Sequence, residues 1–360
     1  MTTIVSNLST LTAAKFRRET VSDIQQRLDT AGQELSTGRR SDIHAAVGLR
    51  SSELLAVRSS AARNESFLSS NRLLANRLDT MAASMSGVRD TLQGFFEIAI
   101  ANRGTPGPTV QQVSAAARAA YDQVVAQLNA PYQGAQLFSG TDSGSKALQG
   151  WQQAHAGTGL SPEGILAGIV GAGLSDAADA AAKLAEIDLV FASANAGAPA
   201  TNFEASFYNG TPALDALAAP SPRVSARIDE ATVLQFGVQA NDAAFTSALQ
   251  GLAMFASVDP ASFADDGAYA VWVGAALDRV AAGIDDIIGA EGQLGTQQRT
   301  LDETMRRQQD RGDLYGRHIV LLENVDPYEA ATRVTELSAQ LEAAYAVTAR
   351  ISRLSFLDYM

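Results

Sequence analysis

Apolar residues recur along several stretches of the chain at alternating steps of three and four positions. In the clearest stretch they occupy every seventh position, and three of them are followed by another apolar residue four positions later: Phe67, Leu74, Met81, Val88 and Phe95, with Leu78, Met85 and Leu92. A narrow apolar stripe that stays in phase this long is typical of a coiled-coil seam. It predicts a long helix in a coiled-coil hairpin, with a long helix in an ordinary bundle as the alternative.

The same spacing appears near both ends of the chain. Near the start it relates Val21, Ile24, Leu28, Ala31 and Leu35. Gly38 follows this stretch, and glycine commonly stands just past the end of a helix. From Ile284 onwards, positions seven apart are occupied by Ile287, Leu294, Leu301, Gln308, Tyr315 and Leu322. Both stretches therefore predict long helices with one narrow apolar side.

The last stretch of the chain opens with residues that favour a helix start. Asp326 can accept backbone hydrogen bonds at the N-cap, Pro327 suits the first turn, and Glu329 can close a capping box. The seam that follows consists of Val334, Leu337, Leu341, Ala344, Thr348 and Ile351. Burial of so thin a seam contributes less free energy than the conformational entropy lost on ordering the helix costs. This terminus therefore needs a partner. The N-terminal stretch is the first candidate.

Between the two ends the pattern changes. Residues 104–108 contain two Gly and two Pro, which break the chain before a further helix predicted over Thr109–Asn129. The apolar side of that helix is formed by Val113, Ala117, Tyr121, Val124 and Leu128. From about Ser139 to Pro260 the chain is rich in Gly, Ala, Ser and Pro, which indicates a separate globular insert.

Three kinds of element are expected inside the insert. Apolar alternation on both sides of residues 229–232 predicts a small β-hairpin with its turn there. Asn241 or Asp242 can cap a helix that continues through Phe255. Residues 164–189 are rich in Ala and predict one or two helices.

These patterns predict a mainly α fold. Long N- and C-terminal helices form an antiparallel coiled-coil rod, and a small α+β domain is inserted between them. The predicted division is an N-terminal assembly helix (1–40), rod helices (41–138), a variable outer α+β domain (139–280), a further rod helix (281–325) and a C-terminal assembly helix (326–360).

The composition argues against several classes of protein. With 39 acidic and 27 basic residues, the net charge of -12 does not suit a nucleic-acid-binding protein, which needs a basic face. The absence of Cys excludes disulfides, thiolate metal sites and a cysteine nucleophile. No apolar run reaches the length of about 18 residues that a membrane span needs. The first residues lack the apolar centre of a cleavable signal peptide, so these rules alone indicate a cytoplasmic protein.

No cluster of residues predicts an active site. The three histidines, His44, His155 and His318, lie in unrelated segments without metal-ligand spacing. The neighbouring Asp285 and Asp286 fit a solvated helix face better than an acid and base pair. We therefore expect no catalytic residue, no metal site and no cofactor, and a protein that is not an enzyme.

The Asn-x-Ser/Thr sequons of the chain include those at Asn64 and Asn209. Motifs this short arise by chance, and Asn64 lies within a predicted coiled-coil helix. We therefore expect neither to be a glycosylation site.

Two sequence runs at opposite ends resemble the bacterial flagellin family. The run 323–337, Glu-Asn-Val-Asp-Pro-Tyr-Glu-Ala-Ala-Thr-Arg-Val-Thr-Glu-Leu, is similar to the acidic, Tyr-bearing start of the family's last helix. The run 34–39, Glu-Leu-Ser-Thr-Gly-Arg, is similar to the family's Leu-Ser-Thr-Gly-Lys/Arg turn. After that turn the family's Asn-Pro-Ser-Asp-Asp-Pro is reduced to Ser41 and Asp42, so the local geometry there can differ from the family's.

Two further runs favour, within the family, a subunit of the junction between hook and filament. Residues 136–140, Gln-Leu-Phe-Ser-Gly, are similar to the start of the outer domain in such subunits, and residues 354–360, Leu-Ser-Phe-Leu-Asp-Tyr-Met, are similar to their C-terminus. The resemblance covers about residues 1–140 and 281–360 and leaves the middle unmatched.

The resemblance implies export without cleavage through the flagellum's own secretion channel. It places the chain in the extracellular flagellum rather than the cytoplasm, as a ring between a hook-side junction protein and the flagellin filament. The implied partners are further copies of the chain, the hook-side junction protein, flagellin and an export chaperone. In the family, the end segments are disordered in the monomer and become helical against neighbouring subunits.

From stripe position and this resemblance, eight residues are expected to carry packing between subunits: Leu8, Leu11, Val21, Ile24, Leu28, Leu337, Leu341 and Ile351. The alternatives are a flagellin subunit of the filament and a binding module, such as a secretion-system tip or an adhesin, whose middle domain recognises a surface. An enzyme carried on this scaffold is a third alternative.

Overall fold

The structure, a computed structural model, describes residues 5–41, 51–104 and 109–357; the side chains of 5–11, 13 and 351–357 are outside that description. The described helices are α1 Val5–Thr37, α2 Ser51–Ala101, α3 Thr109–Leu128, α4 Pro162–Val170, α5 Ala177–Phe191, α6 Phe203–Ser206, α7 Ala243–Ala256, α8 Asp266–Glu323 and α9 Pro327–Leu357. The described strands are β1 Pro131–Tyr132, β2 Ala135–Gln136, β3 Ser225–Arg227 and β4 Val233–Gln235. The predicted mainly α fold, with long helices at both ends and small strands only in the middle, is confirmed.

The chain forms two compact units. The first consists of residues 1–66 and 308–360, and the second of residues 67–307. Because α2 and α8 are long, each contributes residues to both units. The five-part division expected from the sequence stays a prediction.

The predicted seam of α2 is buried in the second unit. Its buried members are Leu74, Leu78, Met81, Met85, Val88, Leu92 and Phe95, while Phe67 is half-buried. Gln298 Nε2 of α8 donates to Asp79 Oδ1 of α2 (2.8 Å), and Glu291 of α8 pairs with Arg89 of α2. Falling residue numbers on α8 thus match rising numbers on α2, so the two helices run antiparallel. The seam of α8 is buried in the same core through Ile287, Leu294 and Leu301. The coiled-coil spacing therefore predicted both helices, and their antiparallel packing agrees with the predicted rod.

α3 and α7 complete the core of the second unit. The predicted apolar side of α3 is buried at all five positions, Val113, Ala117, Tyr121, Val124 and Leu128. At the end of α7, the ring of Phe255 contacts that of Phe95 edge-on, with centroids 5.2 Å apart. The indole of Trp272 donates to the carbonyl oxygen of Met254 (3.1 Å). These contacts tie α2, α7 and α8 together around one apolar cluster.

α8 begins at Asp266, well before Ile284, where the heptad pattern starts. The buried residues of this first part, Ala268, Tyr269, Trp272, Val273, Ala276, Leu277 and Val280, cover a broad surface. A helix buried on a broad surface has no narrow seam, so the heptad pattern missed it. Glycine lets α7 approach closely, because a Cβ on Gly251 would lie 2.6 Å from Val280 Cγ2, and one on Gly283 would lie 2.6 Å from Ala248 Cβ.

The strands form two separate hairpins. β3 and β4 pair antiparallel, with Ala226 opposite Leu234, and their turn lies at 229–232 as predicted. The β1–β2 hairpin was not predicted. Its two-residue turn has Gln133 at φ 50° and Gly134 at φ 83°, the left-handed conformations that a type I′ turn requires. Strands of two residues are too short to show alternation, so the turn glycine was the one sequence feature that could have revealed it.

The helices of the insert agree with expectation. α7 starts directly after Asp242 and passes through Phe255 as predicted. Residues 164–189 contain parts of two helices, α4 and α5, rather than one. Each has a side-chain N-cap, because Ser161 Oγ accepts from Gly164 N and Asp176 accepts from Ala178 N and Asp179 N.

Candidate assembly surface

The two terminal helices pack along each other in the first unit. Gln25 Nε2 donates to the Tyr345 hydroxyl (2.7 Å), and Arg333 Nη1 lies 3.3 Å from Glu34 Oε2. Rising numbers on α1 match falling numbers on α9, so the pair is antiparallel. The N-terminal stretch is therefore the partner of the last helix within the chain, as the thin C-terminal seam led us to expect.

The predicted assembly residues that can be described lie half-buried on this pair: Val21, Ile24 and Leu28 on α1, with Leu337 and Leu341 on α9. The other three, Leu8, Leu11 and Ile351, have side chains outside the described residues. Each of these five half-buried side chains keeps part of its apolar surface accessible in the single chain. That these residues pack between subunits stays a prediction.

The turn after α1 is hydrogen-bonded to the break before α9. Arg40 N donates to Glu323 O (3.0 Å), and Val325 N donates to Gly38 O (3.1 Å). Gly38 has φ +68°, so it ends α1 in the left-handed conformation that glycine allows, as predicted. We call residues 38–41 and 323–325 the clasp. They overlap both sequence runs that resemble flagellin, so the structure brings those two runs together.

Two buried carboxylates hold the clasp. The side chain of Glu323 is 4% exposed, and its Oε1 accepts from Arg58 Nη2 (2.6 Å) and Nε (3.1 Å). Glu34 is 10% exposed and accepts from Ser41 N (2.9 Å) while facing Arg333. A carboxylate removed from water is costly unless it accepts charge-assisted hydrogen bonds. These contacts therefore favour one arrangement of the turn, the break and the two long helices.

α9 begins as the sequence predicts. Asp326 Oδ1 accepts from Tyr328 N (2.8 Å), which makes Asp326 the N-cap. Glu329, expected to close a capping box, accepts from Arg333 Nη2 (2.6 Å). The same arginine thus faces both Glu329 and Glu34, and it links the first turns of α9 to α1.

An open groove of 470 Å³ lies between α1 and α9. Its lining comprises Asp23, Gln26, Arg27, Thr30, Ala31, Glu34, Arg333 and Leu337. The groove lining combines charged side chains with the predicted assembly residue Leu337. Such a mixed groove can accept side chains of a further helix.

Large apolar side chains are exposed on the first unit. Tyr328 is 86% exposed, Leu321 79% and Phe16 71%. Others with more than a third of their surface exposed are Leu35, Leu55, Leu314, Val320, Tyr345 and Val347. By contrast, the buried apolar side chains described for this unit are Ala31, Leu54, Val325 and Ala330. Leu35 belongs to the predicted stripe of α1 and is nevertheless exposed. The other exposed residues lie off the predicted stripes, so the seam spacing did not indicate them, although Tyr328 belongs to the run that resembles flagellin.

The histidines have structural partners. His155 Nδ1 accepts from Gly157 N (3.1 Å), and His318 Nε2 lies 3.2 Å from Glu53 Oε1. His44 lies outside the described residues. Within the described part of the chain, no group of three or more His, Asp or Glu side chains could hold a metal ion. In the same part, no helix combines the length and the apolar character needed to cross a membrane.

Asp285 and Asp286 lie on α8 and are both exposed. They line an open cleft of 610 Å³ together with Arg223 and Asp242, which pair with each other at 2.7 Å. This placement agrees with the expected solvated helix face.

The sequon asparagines Asn64 and Asn209 are both hydrogen-bonded within the chain. Asn64 is buried, and its Nδ2 donates to Gln308 O (2.7 Å). Asn209 Nδ2 donates to Lys146 O (3.1 Å). A sugar on Asn64 would have to displace a buried contact.

Comparison with known proteins locates similarity at both ends of the chain. The family model for the bacterial flagellin N-terminal helical region matches residues 8–143, and that for the bacterial flagellin C-terminal helical region matches residues 277–360. Among solved structures, the chain is similar to one described as a flagellar hook-associated protein from Vibrio parahaemolyticus, with a TM-score of 0.50 and 13% sequence identity, over 76% of this chain and 96% of that one. An identity this low shows likeness of fold alone. No curated protein sequence matches.

Proposed function

Because this chain belongs to the bacterial flagellin family, and so has a structural role in the flagellum, we propose that it is a subunit of the junction between hook and filament. It polymerises through its terminal helices and links the two structures. The observation that carries the proposal is the α1–α9 pair, whose half-buried seam and adjacent groove leave surface for neighbouring subunits. The proposed location is the extracellular flagellum, reached by export without cleavage.

The junction role, rather than the filament role, rests on two kinds of support. Residues 136–140 and 354–360 resemble the corresponding runs of junction subunits. The similar Vibrio chain is described as hook-associated, and it shares the fold over most of its length. The proposed partners are further copies of the chain in a ring, a hook-side junction protein, flagellin and an export chaperone. In this proposal, residues 139–280 form an outer domain that takes no part in polymerisation.

Deleting the coding sequence in the parent bacterium tests the junction role. We expect bare hooks by electron microscopy, with unassembled flagellin in the medium, because filaments would have nothing to attach to. Shortened or altered filaments that stay attached would mean that the chain is a filament subunit. Unchanged filaments would contradict a flagellar role at either position.

A single substitution tests assembly through the terminal seam. Leu341→Asp places a charge at a half-buried seam position of α9, and we expect loss of assembly and motility. The second unit should stay folded, as judged by the fluorescence of Trp151 and Trp272, both buried there. Gln340→Asp adds the same charge at the neighbouring exposed position and is the matched control. A Leu341→Asp variant that assembles and supports motility would show that the seam is not part of the interface between subunits.

A further inference from the structure

The charge of the chain is distributed very unevenly between its two units. Residues 67–307 contain 24 acidic and 13 basic residues, a net charge of -11, and residues 1–66 with 308–360 contain 15 and 14, a net charge of -1. The two values sum to the net charge of -12 for the whole chain. Nearly all of the excess negative charge therefore lies on the second unit.

The acidic groups of the second unit are accessible to solvent. None of the 24 is buried, and 18 of them are exposed. Several belong to the outer side of α8, including Asp278, Asp285, Asp286 and Glu303. Exposed charges interact over about one Debye length, roughly 8 Å at physiological ionic strength and roughly 30 Å in dilute salt. The second units of two neighbouring copies thus repel each other in dilute salt and much less in concentrated salt.

The first unit lacks this repulsion. Its acidic and basic residues nearly cancel, and it exposes large apolar side chains, of which Tyr328 and Leu321 are the most accessible. A surface with balanced charge can pack against a second copy of itself without a net electrostatic penalty. The second unit also exposes apolar side chains, Leu217 among them, so the feature that distinguishes the first unit is its near-balanced charge.

We propose that the acidic second unit sets the ionic strength at which copies of this chain associate through their first units. In dilute salt, repulsion between second units keeps the chains apart. At higher salt, screening removes the repulsion while the apolar contacts of the first units remain. The inference rests on the proposed self-assembly and adds the physical condition that controls it.

Two fourfold variants separate this effect from a general change in charge. The first, Asp278→Asn, Asp285→Asn, Asp286→Asn and Glu303→Gln, neutralises exposed carboxylates of the second unit. The second, Asp310→Asn, Asp313→Asn, Glu336→Gln and Glu342→Gln, neutralises exposed carboxylates of the first unit. Both change the net charge of the chain by the same amount. Only the first variant reduces the size of the negative charge on the second unit. The repulsion between two second units is proportional to the product of their charges, and this product falls to roughly two fifths.

The experiment measures assembly of the full chain by light scattering and electron microscopy, in NaCl from about 10 mM to about 500 mM, a range that spans the change in Debye length. We expect assembly of the unaltered chain to rise with NaCl. The second-unit variant should reach half-maximal assembly at less than half that NaCl concentration, and the first-unit variant at no lower concentration than the unaltered chain. Assembly that is independent of salt, or equal shifts in the two variants, would overturn the inference and leave the proposed function standing. A chain that stays monomeric at every salt concentration would contradict both the inference and the proposed self-assembly.

Discussion

At the scale of single residues, two buried tyrosines make the second unit sensitive to alkali. Tyr121 and Tyr208 are almost fully buried, and their hydroxyl oxygens have no hydrogen-bond partner within the described residues. Burial raises the pKa of both hydroxyls, and the nearby carboxylates of Asp122 and Asp242 raise them further. An unfolded tyrosine ionises near pH 10. The pKa of these hydroxyls is higher in the folded chain than in the unfolded chain. The free energy of unfolding of the second unit therefore keeps its full value below about pH 10 and falls as the pH rises above it.

We therefore expect Tyr121→Phe combined with Tyr208→Phe to lose less stability between about pH 9 and pH 11.5 than the unaltered chain. At neutral pH the double variant should change little, because neither hydroxyl gives up a hydrogen bond. The measurement is the urea midpoint of tryptophan fluorescence as a function of pH, since both tryptophans are buried in this unit. The same alkaline loss in both proteins would contradict the assignment to these residues.

The clasp shows what the sequence reveals at this scale. Gly38 and Asp326 were identified as helix caps, because capping depends on the backbone within one turn. The pairing of Arg58 with Glu323 was not, because residues separated by 265 positions meet only in the folded chain. Charged residues are common on helices, so nothing in their spacing distinguishes a buried pair from a solvated one.

At the scale of elements, α7 and α8 depend on glycine to pack closely. Gly283 faces Ala248 so closely that a Cβ would lie 2.6 Å from the alanine Cβ and 2.7 Å from its Cα. We expect Gly283→Ala to lower the free energy of unfolding of the second unit by about 1 to 3 kcal/mol, because the helices must move apart. Tryptophan fluorescence during urea unfolding measures this loss.

Gly274→Ala is the matched control on the same helix. Outside its own helical turn, no atom of the described residues lies within 4 Å of a Cβ added there, so the substitution should be neutral or stabilise the helix by up to about 1 kcal/mol. Equal effects at Gly274 and Gly283 would show that helix propensity, and not helix contact, determines the result.

Elements with a narrow apolar stripe were predicted well, and the two features that were missed have no regular period. The heptads of α2 and of the later part of α8 gave both helices, because burial on one side leaves a period in the sequence. The start of α8 at Asp266 was missed, since helix burial on several sides leaves no such period. The short β1–β2 hairpin has too few residues to carry any pattern.

At the scale of the whole molecule, the two units differ in how much they bury. The described part of the first unit buries four apolar side chains, whereas the second unit contains a continuous cluster that runs from Leu74 to Leu301. Both tryptophans, Trp151 and Trp272, belong to that cluster. Helices that bury little apolar surface are held by little free energy.

We therefore expect two transitions during urea unfolding of the monomer. Circular dichroism should record loss of helix at lower urea than the change in tryptophan fluorescence, because the first unit is helical and contains no tryptophan. Coincident curves from the two probes would show instead that the units unfold together.

The sequence by itself determined the helical class, the positions of the long seams, the caps at Gly38 and Asp326, the resemblance to flagellin and the net negative charge. Each of these depends on residues close together along the chain or on composition, so no three-dimensional information was needed. Only the tertiary structure decided that the two flagellin-like runs meet at the clasp and that Arg58 pairs with Glu323. It also revealed which glycines α7 and α8 need and which apolar side chains stay exposed. These features arise from contacts between residues far apart in the chain, and such contacts leave no period in the sequence.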